Sequence, residues 1–243
     1  MHINILTIFP EVFDALNYGV IGKAKTNKSF SIKLQDIRDY PVNKHGQIDS
    51  KPYGGGEGMV MMAEPLKKSL NNIPKEKLGK VIYLSPQGTL FNNTKAKKLS
   101  KEPSVTFICG RYEGIDQRFI DKYVDEEISI GDFIISGGEI AALCIVDSVI
   151  RHIPGVLGNK DSSKNDSFSN GLLKGPQYSR PEVFEEIPVP EVLLSGDHKK
   201  IKEWKDLKSI EATIIRRPDL LNNVKLTKKQ RKLLEDLTSQ RIL

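Results

Sequence analysis

The sequence predicts an α/β protein with a mainly parallel sheet, followed by a small all-α region at the C-terminal end. Two observations carry this. Up to residue 130, short apolar β-branched runs alternate with helical patterns of about ten residues, the alternation that builds parallel sheets. After Pro190 the pattern is helical throughout, and the charge balance changes. The 243 residues hold 37 Lys plus Arg against 31 Asp plus Glu, a net charge of +6. Residues 197–243 contain 13 basic and 7 acidic residues, whereas residues 1–196 contain 24 of each. The whole excess therefore lies in the last fifth of the chain. A neutral body with a basic tail domain suits a polyanionic partner such as nucleic acid, although solvated helix faces produce the same composition.

Each element has a local reason. INILTI (3–8) is apolar and β-branched, a buried strand, and Pro10 then opens a short helix with Val12, Phe13 and Leu16 at helical spacing. SIKLQDI (31–37) alternates apolar and polar residues as a second strand. Residues 41–58 form a long polar, Gly-rich loop, and such a loop inside a compact domain is functional or disordered. Pro65 opens a helix from Glu64 to Leu70, and KVIYL (80–84) is a strand that stops at Ser85-Pro86-Gln87-Gly88. Thr94 caps a basic helix running to Ser100. VTFIC (105–109) is a buried strand ending at Gly110, Asp116 to Tyr123 is helical, and EEISI (126–130) is strand-like up to Gly131. A helix from Gly138 to Ile153 is apolar nearly all round over Ile140–Val146, so it is buried in the core or in a subunit interface. Pro154 and Gly155 stop it. Asp197 caps a helix through Arg217, and Thr227 starts the last one. The expected domains are 1–157, a Gly/Asn/Ser/Asp/Lys-rich linker at 158–180, and 181–243.

Several classes are excluded. No stretch approaches the roughly 18 apolar residues of a membrane span. MHINILTIFPEVF lacks a basic n-region and carries Pro10 and Glu11, so no signal peptide is expected. Cys109 and Cys144 form no CxxC and read as buried free thiols in a reducing compartment, which places the protein in the cytoplasm. The histidines (His2, His45, His152, His198) have no zinc spacing. No GxxxxGK[ST] or GxSxG is present, and GGGEG (54–58) lacks dinucleotide-loop spacing and follows no strand.

What remains is a set of three glycine-containing turns at strand ends: SPQG (85–88), CGRYEG (109–114) and GDFIISGG (131–138). Ligands of open parallel sheets bind at the C-terminal ends of strands. Glycine admits close backbone approach, so three such turns on successive strands predict a shared pocket.

YLSPQG (83–88), ICGRYEGIDQR (108–118), SIGDFIISGGE (129–139), DSVIRHIPGVLG (147–158), DSFSNGLL (166–173), YSRPEV (178–183) and RRPDLL (216–221) follow one another in order. With the opening MHINILTIFPEVF, they make the chain resemble, over nearly its whole length, the bacterial tRNA (guanine-N1)-methyltransferases of the SPOUT superfamily. Two positions depart from that pattern. Glu57 stands where the family usually has Pro, and Gln177 where many members have His.

The resemblance implies an α/β domain whose C-terminal part is tied in a trefoil knot, a linker, and a helical tRNA-binding domain. It implies a homodimer that transfers a methyl group from S-adenosyl-L-methionine to N1 of guanine 37, next to the anticodon, with activity dependent on Mg²⁺. By resemblance the cofactor is held by Tyr83, Leu84, Ser85, Pro86, Gly110 and the run Ile130, Gly131, Asp132, Phe133, Ile134 and Ile135, with Gly137 and Gly138 shaping the wall. Tyr112 packs the ligand or anchors the fold. Glu113 meets the ligand's cationic end or caps the following helix. Asp166 is the general base for the N1 proton, although from sequence alone it reads as a turn residue before Ser167. Arg151 stabilises charge at O6, a role compatible with an (i, i+4) pair to Asp147. Phosphates would meet Lys199, Lys200, Arg216, Arg217, Lys228, Lys229 and Arg231. Trp204 stacks a base or belongs to the core. The competing readings are a small-molecule nucleotide-binding enzyme and an RNA-binding protein without catalysis.

Overall fold

The computed structural model describes residues 1–157 and 166–239, in two units, Met1–Lys160 and Asp161–Leu243. The first begins with β1 (His2–Thr7), a 3-10 segment over Pro10–Asn17, α1 (Gly19–Thr26) and β2 (Ser31–Asp36). Two-residue strands β3 (Asp49–Ser50) and β4 (Val60–Met61) lead to α2 (Ala63–Asn71) and α3 (Lys75–Leu78). Then come β5 (Lys80–Leu90), α4 (Asn93–Leu99), β6 (Ser104–Cys109), α5 (Gln117–Tyr123), β7 (Glu126–Ser129) and α6 (Gly138–Ile150). Five strands form one parallel sheet in the order β2-β1-β6-β5-β7.

The period of the strands gives this sheet two buried faces. Ile3, Ile5, Ile82, Leu84, Val105 and Phe107 pack on one side with the apolar face of α6, while Leu6, Val81, Tyr83 and Ile108 pack on the other with Leu66 and Phe119. A parallel sheet covered on both faces is the expected consequence of strand–helix–strand crossovers. The mid-sheet polar residue Asn4 is satisfied by donating to Lys77 O at 2.7 Å and Thr106 Oγ1 at 3.2 Å.

The structure corrects several sequence expectations. β5 does not stop at Ser85: it resumes after a bulge, with Leu84 and Thr89 both paired to Ile128. Gly88 permits this, because a Cβ there would lie 2.4 Å from the backbone of Glu127 and Ile128. Asn92, not Thr94, caps α4, its Oδ1 accepting from Lys95 N at 3.0 Å. The segment opened by Pro10 is a 3-10 helix, and α6 ends at Ile150 in tight turns rather than at Ile153. α6 also has an open side. Ala142, Ile145, Val146 and Val149 are buried, whereas Ile140 and Cys144 are exposed. The buried thiol expected at Cys144 is therefore wrong, because four residues along a helix repeat the same face and that face points off the sheet.

The second unit holds a hairpin, β8 (Val183–Phe184) with β9 (Ile187–Pro188), then α7 (Glu191–Leu194), α8 (His198–Arg216), a 3-10 segment over Pro218–Asn223 and α9 (Lys228–Ser239). The hairpin was not expected. Its turn residues Glu185 and Glu186 take φ of 47° and 66°, a conformation normally announced by Asn-Gly. Asp197 caps α8 as expected, accepting from Lys199 N at 3.0 Å and Lys200 N at 3.1 Å. The segment expected as a linker is described from Asp166 onward, and it packs within this unit. Leu172 is buried, and Leu173 N donates to Thr213 Oγ1 of α8 at 3.0 Å.

Candidate active site

β6, β5 and β7 are neighbours in the sheet, so the turns that follow them lie side by side. They enclose a cavity of about 420 Å³. Its lining includes Tyr83, Leu84, Ser85, Pro86, Gly110, Tyr112, Glu113, Ile130, Gly131, Phe133, Ile134, Ile135, Gly137 and Gly138. Every residue expected at the cofactor is thus present except Asp132, which is exposed and does not line the cavity.

The glycines are demanded by crossing chains. A Cβ on Gly138 would lie 2.8 Å from Cys109 Cα, and one on Gly110 would meet the Tyr83 ring at 2.8 Å. Gly138 N donates to Gly110 O at 2.9 Å, fastening the turn after β6 to the start of α6. Beneath this contact burial, then the neighbouring Glu139, pushes the Cys109 thiol well above its ordinary value, which keeps it an inert core group. The Tyr83 hydroxyl is pushed up to about 12 by burial and then by Glu127, against a hydrogen bond with the Ile115 backbone.

The Gly-rich loop at 54–61 is held at the edge of the cavity. Glu113 N donates to Met59 O at 2.9 Å, and Met61 N to Gly114 O at 3.0 Å. Gly58 lies against Glu113, whose Cγ would be 2.6 Å from a Cβ there. Glu113 does not cap α5: Asp116 does, accepting from Arg118 N at 2.9 Å. Arg118, hydrogen-bonded to Asp116, holds its carboxyl below the usual range. Tyr112 adopts φ of 60°, and burial together with a hydrogen bond to Asp49 raises its hydroxyl. A tyrosine in this left-handed conformation is strained, as side chains at ligand clamps often are.

Gln87, Arg111, Gln117, Ile120, Glu127, Ser129 and Ser136 also line the cavity and were missed. Gln87, Arg111 and Ser136 sit inside the glycine turns, and Gln117 and Ser129 in the longer family stretches around them, so all five could have been taken with them. Glu127 and Ile120 carried no signal, because only the sheet register and the packing of α5 bring them there.

Arg151 is the exposed residue that closes α6, its N–H bonded to Asp147 O at 3.3 Å. Asp166 belongs to the other unit. Its side chain is 39% exposed, with Lys174 Nζ 3.9 Å from Oδ1, and its carbonyl accepts from Ser169 N at 3.2 Å in the turn that the sequence alone suggested. Lys199, Lys200, Arg216, Arg217, Lys228 and Arg231 are exposed, and Arg217 pairs with Asp219 at 2.7 Å. The side chain of Lys229 lies outside the described residues. Trp204 is half-buried, its ring 6.2 Å from that of Tyr178. A second, more open cavity between α2 and α5 is lined by Lys67, Lys68, Arg118 and Lys122, with Glu64 paired to Lys68 at 2.8 Å. Residues 1–160 hold 21 basic and 18 acidic residues, so the first unit carries cationic surface of its own.

Among the described residues no helix is long and apolar enough to cross a membrane, and no three His, Cys, Asp or Glu side chains converge as metal ligands. A parallel sheet whose consecutive C-terminal turns share one glycine-lined cavity is the build of an α/β enzyme with its ligand at the sheet edge. The family model for tRNA (Guanine-1)-methyltransferase TrmD matches residues 1–223, and the chain belongs to that family of enzymes. It is 51% identical over 235 residues to a tRNA (guanine-N(1)-)-methyltransferase of Clostridium novyi (strain NT), covering 97% of each chain. A protein of the same description from Clostridium botulinum (strain Loch Maree / Type A3) is 48% identical over 240 residues, with 99% of this chain and all of the relative covered. Another from Clostridium beijerinckii is 48% identical over 236 residues.

Proposed function

We propose that this chain, as a homodimer, transfers a methyl group from S-adenosyl-L-methionine to N1 of guanine 37 of tRNA. The observation that carries the reading is the single cavity made by the three strand-end turns. When bound, S-adenosyl-L-methionine supplies a methyl group on a positively charged sulfur. The residues fit it. The volume suits a small-molecule site, and backbone groups are exposed where glycines replace side chains. Glu127 Oε2 is buried there without a hydrogen-bond partner among the described residues, an acceptor for a cationic or N–H-bearing ligand. Mg²⁺ has no comparable cage among these residues, and no step is assigned to it.

In this reading residues 1–157 bind the donor, 158–180 carry the base, and 181–243 hold the tRNA. Asp166 accepts the proton from N1 as the methyl group is delivered. A carboxylate at hydrogen-bond distance suits that task, and its partial exposure leaves it open to an incoming base. Arg151 offsets the negative charge that spreads to O6. The exposed cations of α8 and α9 bind phosphates, which positions the anticodon loop without reading its sequence. A knotted C-terminal part of the first unit rests on the family resemblance. The exposed Ile140 and Cys144 on α6 support a second subunit packing there.

The test is methyl transfer to tRNA transcripts carrying guanine, adenine or inosine at position 37. Guanine should be methylated and adenine should not. Equal methylation of the adenine-37 transcript would refute the assignment of the target base.

A further inference from the structure

Glu139 stands apart from the rest of α6. It is the second residue of a helix that turns apolar side chains to the core, and it is 0% exposed. A buried carboxylate persists only when its oxygens are paired. Oε1 accepts from Thr7 Oγ1, at the end of β1, at 2.8 Å. Oε2 accepts from Arg111 Nε at 2.9 Å. Arg111 leaves the turn after β6, lies over the Phe9 ring 4.6 Å from its centroid, and donates from Nη1 to Ser136 O at 3.1 Å. One guanidinium thus joins the turn after β6, the start of α6 and the 131–137 loop.

Gly137 records the same strap independently. Its φ of 172° is extended backbone open to any residue. The space is what is missing: a Cβ there would lie 2.2 Å from Arg111 Nε and 2.5 Å from Cδ. This glycine is required by the position of Arg111 rather than by its own conformation.

We propose that Glu139 is a positioning residue which, through Arg111, holds the 131–137 loop against the turn after β6 and so pre-forms the donor pocket. Rigid outer partners of this kind set the geometry of a binding site. The inference rests on the reading that this cavity takes S-adenosyl-L-methionine.

The experiment is calorimetric binding of S-adenosyl-L-methionine to the full chain, with donor KM and kcat measured alongside. Arg111→Lys keeps the charge but loses the planar fork that reaches two acceptors. Its donor Kd should rise at least about fivefold, the lower end of coupling between linked sites. Donor KM should rise with it, and kcat at saturating donor should fall less. Glu139→Gln retains both hydrogen bonds, because an amide accepts from Arg111 and donates to Thr7, so binding should stay close to wild type. Gly137→Ala should weaken binding in the wild-type background and add nothing once Arg111 is Ala. Glu139→Ala is the harsher variant. If it fails to fold, Arg111→Lys and the Gly137 cycle decide. Lowered Tm with unchanged donor Kd in Arg111→Lys, or additive effects of Gly137→Ala and Arg111→Ala, would overturn the proposal while leaving the pocket assignment intact. No donor binding by the wild-type chain would instead overturn the pocket assignment, and this proposal with it.

Discussion

The two units of the chain do their work by different physics. The first buries Phe107, Phe119, Ile3, Ile5 and Ile145 completely and makes its cavity from backbone turns and glycines. The buried side chains of the second are few, Leu172, Ile210 and Thr213 among them, and the groups proposed for tRNA and for the base lie on exposed helix faces and one anchored turn. A cavity shaped by packing tolerates salt and fails when a methyl group is added. A surface built from charge tolerates small changes of shape and fails when ions screen it.

The largest break in this comparison is removal of residues 197–243. Donor binding should survive and tRNA methylation should be abolished. In the intact chain, log affinity for tRNA should fall linearly with log salt. Tight, salt-sensitive tRNA binding by the shortened chain would assign that work to residues 1–196, where the cationic groove between α2 and α5 is the first surface to search.

Next in size is Asp166→Asn, which keeps the fold and donor affinity while lowering single-turnover methyl transfer about 10²–10⁴-fold, the usual contribution of a general base. Near-normal single-turnover rates would remove Asp166 from that role.

A third experiment asks whether the cavity of one subunit works with Asp166 of the other. Gly137→Val, which collides with Arg111, and Asp166→Ala should each be inactive, provided each folds and dimerises. Unfolded together and refolded in equal amounts, they form roughly half mixed dimers, and about a quarter of wild-type site activity should return. Demonstrated mixed dimers without recovery would place both halves of the site on one chain.

The smallest effect concerns stability of the first unit alone. Burial pushes Glu126 up, but Lys80 and Lys95, each 2.6 Å away, outweigh it and hold the carboxyl below its ordinary 4.5. A lowered folded-state value stabilises above the ordinary value, and that stability is lost as the pH falls through the lowered one. The Tm advantage of wild type over Glu126→Gln should therefore be full above pH 4.5 and shrink in more acid solution. A gap that stays constant with pH would mean the pair contributes shape rather than charge.

The parallel strands, the Asp197 cap and the three turns that meet at the cavity were legible in the amino-acid order, because strand period, capping chemistry and glycine placement are local properties. Family motifs supplied Asp166 and Arg151, which periodicity alone reads as a turn residue and a helix end. Tertiary structure decided the rest. Only the register of β5 with β7 brings Glu127 to the cavity and carries the strand past Ser85. Only packing tells Cys109 from Cys144, since both stand in apolar runs and differ in which side of a helix or sheet is covered. Glu139 is the clearest case. In sequence it is one charged residue opening an apolar helix, and its partners Thr7 and Arg111 lie 132 and 28 residues away. Local pattern carries no record of such distant pairings, because they exist only once the sheet has brought the ends of β1 and β6 together.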